Sequence, residues 1–277
     1  MKIEKRYPEG KTKAFNITYD DGVTQDVPFI TMLNRYGIKA TFNLNSQLMQ
    51  NGFTWRHECG MDITRLRPAE IGDLYEGHEI ASHTLTHPYM DGLSDEELYR
   101  QLREDKRNLE ALFGRKVAGF AVPFDYFDDR IARCAEKCGF EYARTSDVSL
   151  SYTPCRDWHH WKTGIYHVMP ELVPYVEGFL KTNEELALCQ IVGHSYDLDV
   201  YHMWDTLERI CCKVSLARDV CPMTNLELVR YTKAMRAAEV TDAFIRNLAS
   251  IDIWFRVGAQ VIQLHPGEMF HFDKEEI

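Results

Sequence analysis

The sequence lacks any uninterrupted apolar run of about 18 residues, the length that would cross a bilayer. Its opening residues, MKIEKRYPEGK, have no apolar core of the kind found in an export leader. Both absences lead us to expect a cytoplasmic protein with no membrane role. Excess positive charge is also missing: 32 Lys and Arg stand against 42 Asp and Glu, a formal net charge of -10. That balance argues against a nucleic-acid groove and against a strongly anionic polymer as substrate. The eight cysteines include no C-x-x-C pair, so neither a redox motif nor a cysteine zinc knuckle is written here. Scattered through a chain of this size, they read as reduced, mostly buried thiols, with Cys134 and Cys138 one helical turn apart on a core face. Internal repeats, low-complexity tracts and long linkers are absent too. What is present is 277 residues with 45% hydrophobic and 27% charged content, enough for one large domain with its own core.

Strand and helix signals alternate along most of the chain. KAFNITYDD (from Lys13), IKATFNLN, EIASHT, VAGFAVPF, EYARTS and ELALCQIVGH are short apolar runs of strand length. Between them lie helical segments. TQDVPFITMLNRYG ends at Gly37. PAEIGDLYEGH has Pro68 at a first helical position, Glu70 in its first turn and Gly77 near its end. SDEELYRQLREDKRNLEALFG has Ser94 as cap, Glu97 completing a capping box, a stripe of Leu98, Leu102, Leu109 and Leu112, and Gly114 as stop. DDRIARCAEKCG, YHMWDTLERICCKVSLA and TNLELVRYTKAMRAA follow in the same style. Such alternation implies parallel strands joined by crossover helices, buried on both faces. From about residue 240 the texture changes to short strands with tight links (DAFIRNLA, SIDIWFRVG, AQVIQLH, EMFHF). We read residues 1–240 as an α/β barrel unit and 241–277 as a small antiparallel β appendage, whose strands either cover the barrel or pair between chains in a homo-oligomer.

Chemistry collects where the strands end. Two adjacent carboxylates, Asp20 and Asp21, close the first strand before Gly22. Side chains alternate along a strand, so these two can converge only beyond its end, and their mutual repulsion then calls for a cation or a shared proton. The third strand ends in SHTLTHP, with His83 and His87 spaced H-x-x-x-H ahead of Pro88. The fourth ends in Pro123-Phe124-Asp125-Tyr126 and the late one in Gly193-His194-Ser195-Tyr196-Asp197. Alone, Asp-Gly is a turn and His194 a hydrogen-bonded core histidine. Four polar strand ends on apolar strand bodies make the turn-and-core explanation improbable. Two imidazoles plus a carboxylate are a common ligand set for zinc and similar divalent ions.

TYDDG, SHTLTH and VGHS, in that order, resemble the first, second and last motifs of the polysaccharide deacetylase (NodB-homology) superfamily, over residues 13–238. The resemblance implies a distorted (β/α) barrel of seven strands that removes acyl groups from amino sugars with one divalent metal ion, most often zinc, with cobalt or nickel as alternatives. It implies Asp21, His83 and His87 as metal ligands, Asp20 as general base, His194 as general acid, and the Phe124 backbone N–H as oxyanion donor. Asp157 and Trp158, in TPCRDWHHWKTG, are then candidates for the pair that orients the acid and walls the pocket. Asp125 and Tyr126 are candidates for contact with a small-molecule or oligosaccharide substrate.

The pattern departs from the family at one motif. Where many members carry Arg-x-Pro-Tyr-Gly, this chain reads Ala121-Val122-Pro123-Phe124-Asp125, so the arginine that orients the base is absent. Asp125 either preserves the turn, because Asp tolerates positive φ, or points into the cleft. His159, His160 and His167 crowd one region and read as packing or pocket lining before a second metal site. Asp197 and Asp199 read as turn or capping residues. Two other functions stay open: hydrolysis of an O-acetyl ester or of a small amide or cyclic imide on the same barrel, and a non-catalytic binding protein.

Overall fold

The computed structural model describes residues 2–272. Its centre is a parallel sheet in the order Ile165–Tyr166, Ala187–His194, Lys13–Asp20, Ala40–Leu44, Glu79–Ser82, Gly119–Ala121, Tyr142–Val148 and Trp161–Thr163. The first and last of these eight strands are two halves of one segment, split at Gly164. One half pairs with Tyr142–Val148 and the other with Ala187–His194. The sheet is therefore nearly closed, and seven segments circle the axis, as the family resemblance implied.

Gly164 is the joint, and only glycine fits it. Its N–H donates to Gln190 Oε1 at 2.9 Å. A Cβ at this position would sit 2.0 Å from the Gln190 carbonyl oxygen. A ninth strand, Val220–Pro222, pairs with Lys13–Phe15, the part of the first barrel strand that Ala40–Leu44 does not reach.

Most helices form where caps and apolar spacing predict them, at Asp26–Arg35, Asp95–Phe113, Asp129–Lys137, Trp204–Leu216 and Asn225–Ala237. Thr224 and Glu227 make a complete capping box. Ser94 caps its helix by accepting from Glu97 N, but the Glu97 carboxylate turns to Arg100 and Gln101 instead of closing the box. Leu98, Leu102 and Leu109 are buried, each worth about 1.5–3 kcal/mol of transfer free energy. Leu112 is exposed, off the stripe. The helix expected over PAEIGDLYEGH is a single turn, Pro68–Ile71, because Gly72 leaves helical space at φ 46°. A further helix, Leu172–Lys181, is hidden in the sequence by Pro174 and Gly178.

The late strands form as read, at Phe244–Arg246, Ile253–Val257, Gln260–Leu264 and Met269–His271. They make two small antiparallel sheets. Glu239–Val240 joins one of them, and the N-terminal strand Ile3–Arg6 joins the other by pairing with Ile253–Val257. Ile253, Phe255 and Leu264 pack with Val229, Tyr231 and Met235 in one buried cluster, so the hairpin covers the barrel. All eight cysteines are unpaired, and Cys59 alone is exposed.

The barrel floor is polar. Buried Glu79 accepts from Thr41 Oγ1 (2.8 Å), Tyr142 OH (2.9 Å) and the Leu226 N–H (2.8 Å), which ties the start of the Asn225–Ala237 helix into the floor. Burial lifts the Glu79 carboxyl to about 7, against those hydrogen bonds, which favour its charged form.

Candidate metal centre and active site

Asp21, His83 and His87 converge at the carboxyl end of the barrel, each offering a ligand atom within 4.8 Å of the others. Among the described residues, no other three His, Cys, Asp or Glu side chains meet this closely. The local backbone is bent to bring them together. Asp21 has φ 90°, Thr84 69° and His87 54°, all in the left-handed region. Positive φ at non-glycine residues costs energy and tends to gather at functional sites. Here it turns neighbouring residues towards one point after their strands end.

His83 Nδ1 donates to the Ala121 carbonyl at 2.8 Å, which leaves Nε2 as the free lone pair. That Nε2 lies 3.9 Å from Asp21 Oδ1, and His87 Nε2 lies 3.7 Å from the same oxygen. Arg65 Nη2 approaches Oδ1 to 2.9 Å, but out of line for a hydrogen bond, and this buried oxygen accepts none. An orphaned carboxylate oxygen facing two free imidazole nitrogens is a donor set that fits a divalent cation. Burial, and for His87 also His83, holds both imidazoles below their usual range, His87 at about 4, so they are neutral as ligands must be. The Asp21 carboxyl is also held well below the ordinary range: burial opposes this, but Arg65 and the histidines outweigh it.

The loop that carries the histidines is braced from behind. Asn45 Nδ2 donates to the carbonyls of His83 and Thr84, and Asn45 Oδ1 accepts from Arg65 Nη1 at 2.6 Å. Arg65 Nη1 also bonds the Asp21 carbonyl. Asp105 accepts from Ser82 Oγ at 2.6 Å and from the Ser46 N–H at 2.7 Å.

Asp20 sits beside the cluster and faces different partners. Arg144 Nη2 bridges both of its oxygens, at 2.5 and 2.7 Å, and Asn43 Nδ2 donates to Oδ1 at 2.7 Å. Burial pushes its carboxyl up, but Arg144 and the nearby histidines outweigh this and hold it below the ordinary value. The arginine missing from the fourth strand end is thus matched by one from the next strand. A lone arginine inside the apolar run EYARTS was the available signal.

His194 closes the cleft at the end of its own strand, with Nε2 3.9 Å from Asp21 Oδ2. Its Nδ1 donates to Asp197 Oδ2 at 2.9 Å, and Tyr166 OH donates to the same oxygen at 2.8 Å. Burial disfavours charge on His194, yet the Asp197 bond and the Asp21 and Asp20 carboxylates raise it to about 9. Asp197, read from sequence as a turn residue, is therefore the residue that orients His194. Asp199 takes the Trp204 indole N–H at 2.7 Å, a structural role.

The remaining candidates fall elsewhere. Asp157 is exposed, caps the turn Trp158–His160 and bonds His160 at 2.8 Å. Asp197 already fills the place beside His194 Nδ1, which Asp157 does not reach. Trp158 is buried edge-on to Trp161 and away from the cleft, because its ring completes the hydrophobic cluster beneath the C-terminal strands. His159 bonds the Phe140 carbonyl, and His167 bonds Tyr19 OH at 2.6 Å behind Asp197. Phe124, and not Asp125, carries the left-handed backbone, at φ 56°. Phe124 lines the cleft, whereas Asp125 and Tyr126 are exposed beside it.

The cleft encloses about 250 Å³. Larger hollows exist, including one of about 820 Å³ under the C-terminal strands, but they lack such a convergent set.

Comparison with known proteins agrees with this fold. Residues 8–143, just under half of the chain, match the sequence profile of the family described as polysaccharide deacetylase. A peptidoglycan-N-acetylglucosamine deacetylase of Bacillus cereus is 28% identical over 131 residues, 47% of this chain and 54% of that protein. The chain spans about half the length of such curated relatives. Among solved structures, the Xyl-CE4 domain of a multidomain xylanase from the hindgut metagenome of Trinervitermes trinervoides superposes with a TM-score of 0.53. It is 16% identical, over 83% of this chain and 92% of that one. The family 4 carbohydrate esterase of Streptomyces lividans, solved with acetate, gives 0.51 at 16% identity, over 76% of this chain and 92% of that one. These superpositions establish the barrel as one shared with that group.

Proposed function

We propose that this chain, which carries the polysaccharide deacetylase homology region, is a metal-dependent hydrolase that removes an acetyl group from the nitrogen of an amino sugar or oligosaccharide. The observation that carries the reading is the division of labour between adjacent carboxylates: Asp21 faces two free imidazoles, while Asp20 faces Arg144 and Asn43.

A divalent ion held by Asp21, His83 and His87, zinc in our reading, would supply a Lewis acid and a water of lowered pKa. Asp20, fixed from two sides, accepts the proton of the attacking water. The Phe124 N–H, at the cleft edge, donates to the oxyanion as charge develops on the carbonyl oxygen. His194, charged and anchored through Nδ1 by Asp197, donates its Nε2 proton to the leaving amine. Ester cleavage would need less from His194, because an alkoxide leaves more readily than an amide anion. A histidine anchored through Nδ1 with its Nε2 facing the cleft suits the amide.

The test is metal content by elemental analysis beside acetate release from N-acetylglucosamine oligomers. One divalent ion per chain is expected, absent from a His83→Ala/His87→Ala variant, with Asp20→Asn keeping the ion and losing turnover. A wild-type protein that takes up no zinc, cobalt or nickel would overturn the reading, and turnover retained in Asp20→Asn would remove the base assignment.

A further inference from the structure

Behind the anchor of His194 lies a second histidine, His167, which the proposed reaction does not use. It follows the short strand Ile165–Tyr166, is fully buried, and donates its backbone N–H to the Val192 carbonyl at 2.9 Å. The barrel makes room for its ring. A Cβ on Gly193 would lie 2.0 Å from His167 Nδ1 and 2.3 Å from Cε1, so a side chain there would evict the imidazole. The two ring nitrogens meet different neighbours. Nδ1 lies 2.6 Å from Tyr19 OH. Nε2 has no hydrogen-bond partner and faces Asp197 Oδ2 at 3.8 Å. A buried, unpaired ring nitrogen costs free energy that phenylalanine or leucine would not incur. A packing role therefore explains Nδ1 but not Nε2. Burial holds the imidazole down to about 4, so it is neutral and carries one proton. The carboxylate decides which nitrogen has it. A bare lone pair at Nε2 would be repelled by Asp197, whereas an N–H there points its positive end at the acid's anchor. Tyr19 OH then donates to Nδ1, and the tautomer is set from both sides.

We infer that His167 is a positioning residue for the acid half of the reaction: its Nε2–H steadies the Asp197 carboxylate, which in turn aims His194 at the leaving group. The inference rests on the function proposed above and adds a residue to it. Asp197 Oδ2 already accepts from the Tyr166 hydroxyl and from His194 Nδ1, at 2.8 and 2.9 Å. A third N–H dipole directed at that oxygen from the barrel interior keeps the carboxylate ionised and in place while the proton leaves His194 Nε2. Among the described residues, no hydrogen bond or ion pair joins His167 to Asp20, Asp21, His83 or His87. Its loss should therefore be felt where the leaving group takes up a proton, and not at the metal ligands or the base.

The experiment splits substrates by leaving group. An N-acetylglucosamine oligomer must release an amine that needs the His194 proton, whereas p-nitrophenyl acetate releases a phenolate that leaves without one. His167→Phe keeps a ring but no N–H. It should lower kcat on the oligomer by about tenfold or more, part of the roughly 100- to 10,000-fold that a general acid supplies. On the aryl ester it should stay within about twofold of wild type. His167→Gln, whose amide nitrogen can take the place of Nε2, should recover most of the oligomer rate. Equal losses on both substrates, or no loss on either, overturn the assignment. A second arm needs no turnover and so separates this from failure of the function itself. Nitrogen–proton correlation spectra of the imidazoles in the purified protein should show His167 as the Nε2–H tautomer, and His167→Phe should shift the His194 Nδ1 signal. Those spectra support the assignment even if no acetate is ever released. An Nδ1–H tautomer at His167, or an unmoved His194 signal, overturns it even in an active enzyme.

Discussion

Arg144→Met removes the charge that faces Asp20 while keeping most of the side-chain volume. Both groups are sequestered, with side-chain exposures of 3% and 12%. Breaking a buried pair from one side typically costs about 3–5 kcal/mol, because the remaining charge is left uncompensated. Asn43 still donates to Asp20, and Asp20 keeps some access to water, so the lower end, about 3 kcal/mol, is expected. For a domain of this size that is about 6–12 °C in melting temperature. The melts should be run in chelator, so that metal linkage does not enter. Adding Asp20→Asn should recover part of the loss, since two neutral groups replace one stranded charge. A coupling of about 1–3 kcal/mol between the two changes is expected. A single mutant that melts within a degree or two of wild type would refute the reasoning, as would strict additivity with Asp20→Asn. Either result would reduce the Asp20–Arg144 contact to the worth of an exposed pair, below about 1 kcal/mol.

Two further expectations concern the frame. Glu79 has a folded pKa of about 7 against an ordinary 4.5, so the folded state holds its proton longer than the unfolded chain does. Its contribution therefore falls as pH rises from about 4.5 to about 7 and is level above that, a total of about 3 kcal/mol. Glu79→Gln should flatten that part of the stability profile in urea melts at pH 5 and pH 8, and an unchanged slope would contradict the assignment. Gly164→Ala would press a Cβ to 2.0 Å from a main-chain carbonyl that cannot swing away. A loss of at least about 3 kcal/mol is expected, and near-normal melting would mean the joint has slack that its geometry denies.

What was legible in the sequence was mostly local. Asp20-Asp21, His83, His87 and His194 stand at the ends of apolar runs, and the run lengths alone place them on one rim. Caps such as Thr224 with Glu227 mark helix starts within a few residues. The illegible parts depend on which strands become neighbours. Arg144 lies 124 residues from Asp20 along the chain, and it meets that carboxylate only because the barrel brings Tyr142–Val148 across from the end of Lys13–Asp20. Asp197 looked like a turn residue because its spacing from His194 suits a turn. The same spacing lets it reach back to the imidazole. The segment Trp161–Tyr166 reads as irregular because its two short halves serve different neighbours across Gly164. Trp158 was misplaced for a related reason: an aromatic ring beside polar residues reads equally well as pocket wall or as buried packing.

The pairing of Ile3–Arg6 with Ile253–Val257 sets a timetable for biosynthesis. Ile3–Arg6 leaves the ribosome some 250 residues ahead of its partner. At about 5–20 residues per second this is a wait of roughly 12–50 s. Lys13–Asp20, which carries Asp20, likewise waits for Ala187–His194 before it is paired along its full length. Until residues 187–194 emerge, the nascent chain therefore displays an apolar strand edge beside its candidate site, and chaperone contacts with the emerging chain should concentrate on residues 13–20.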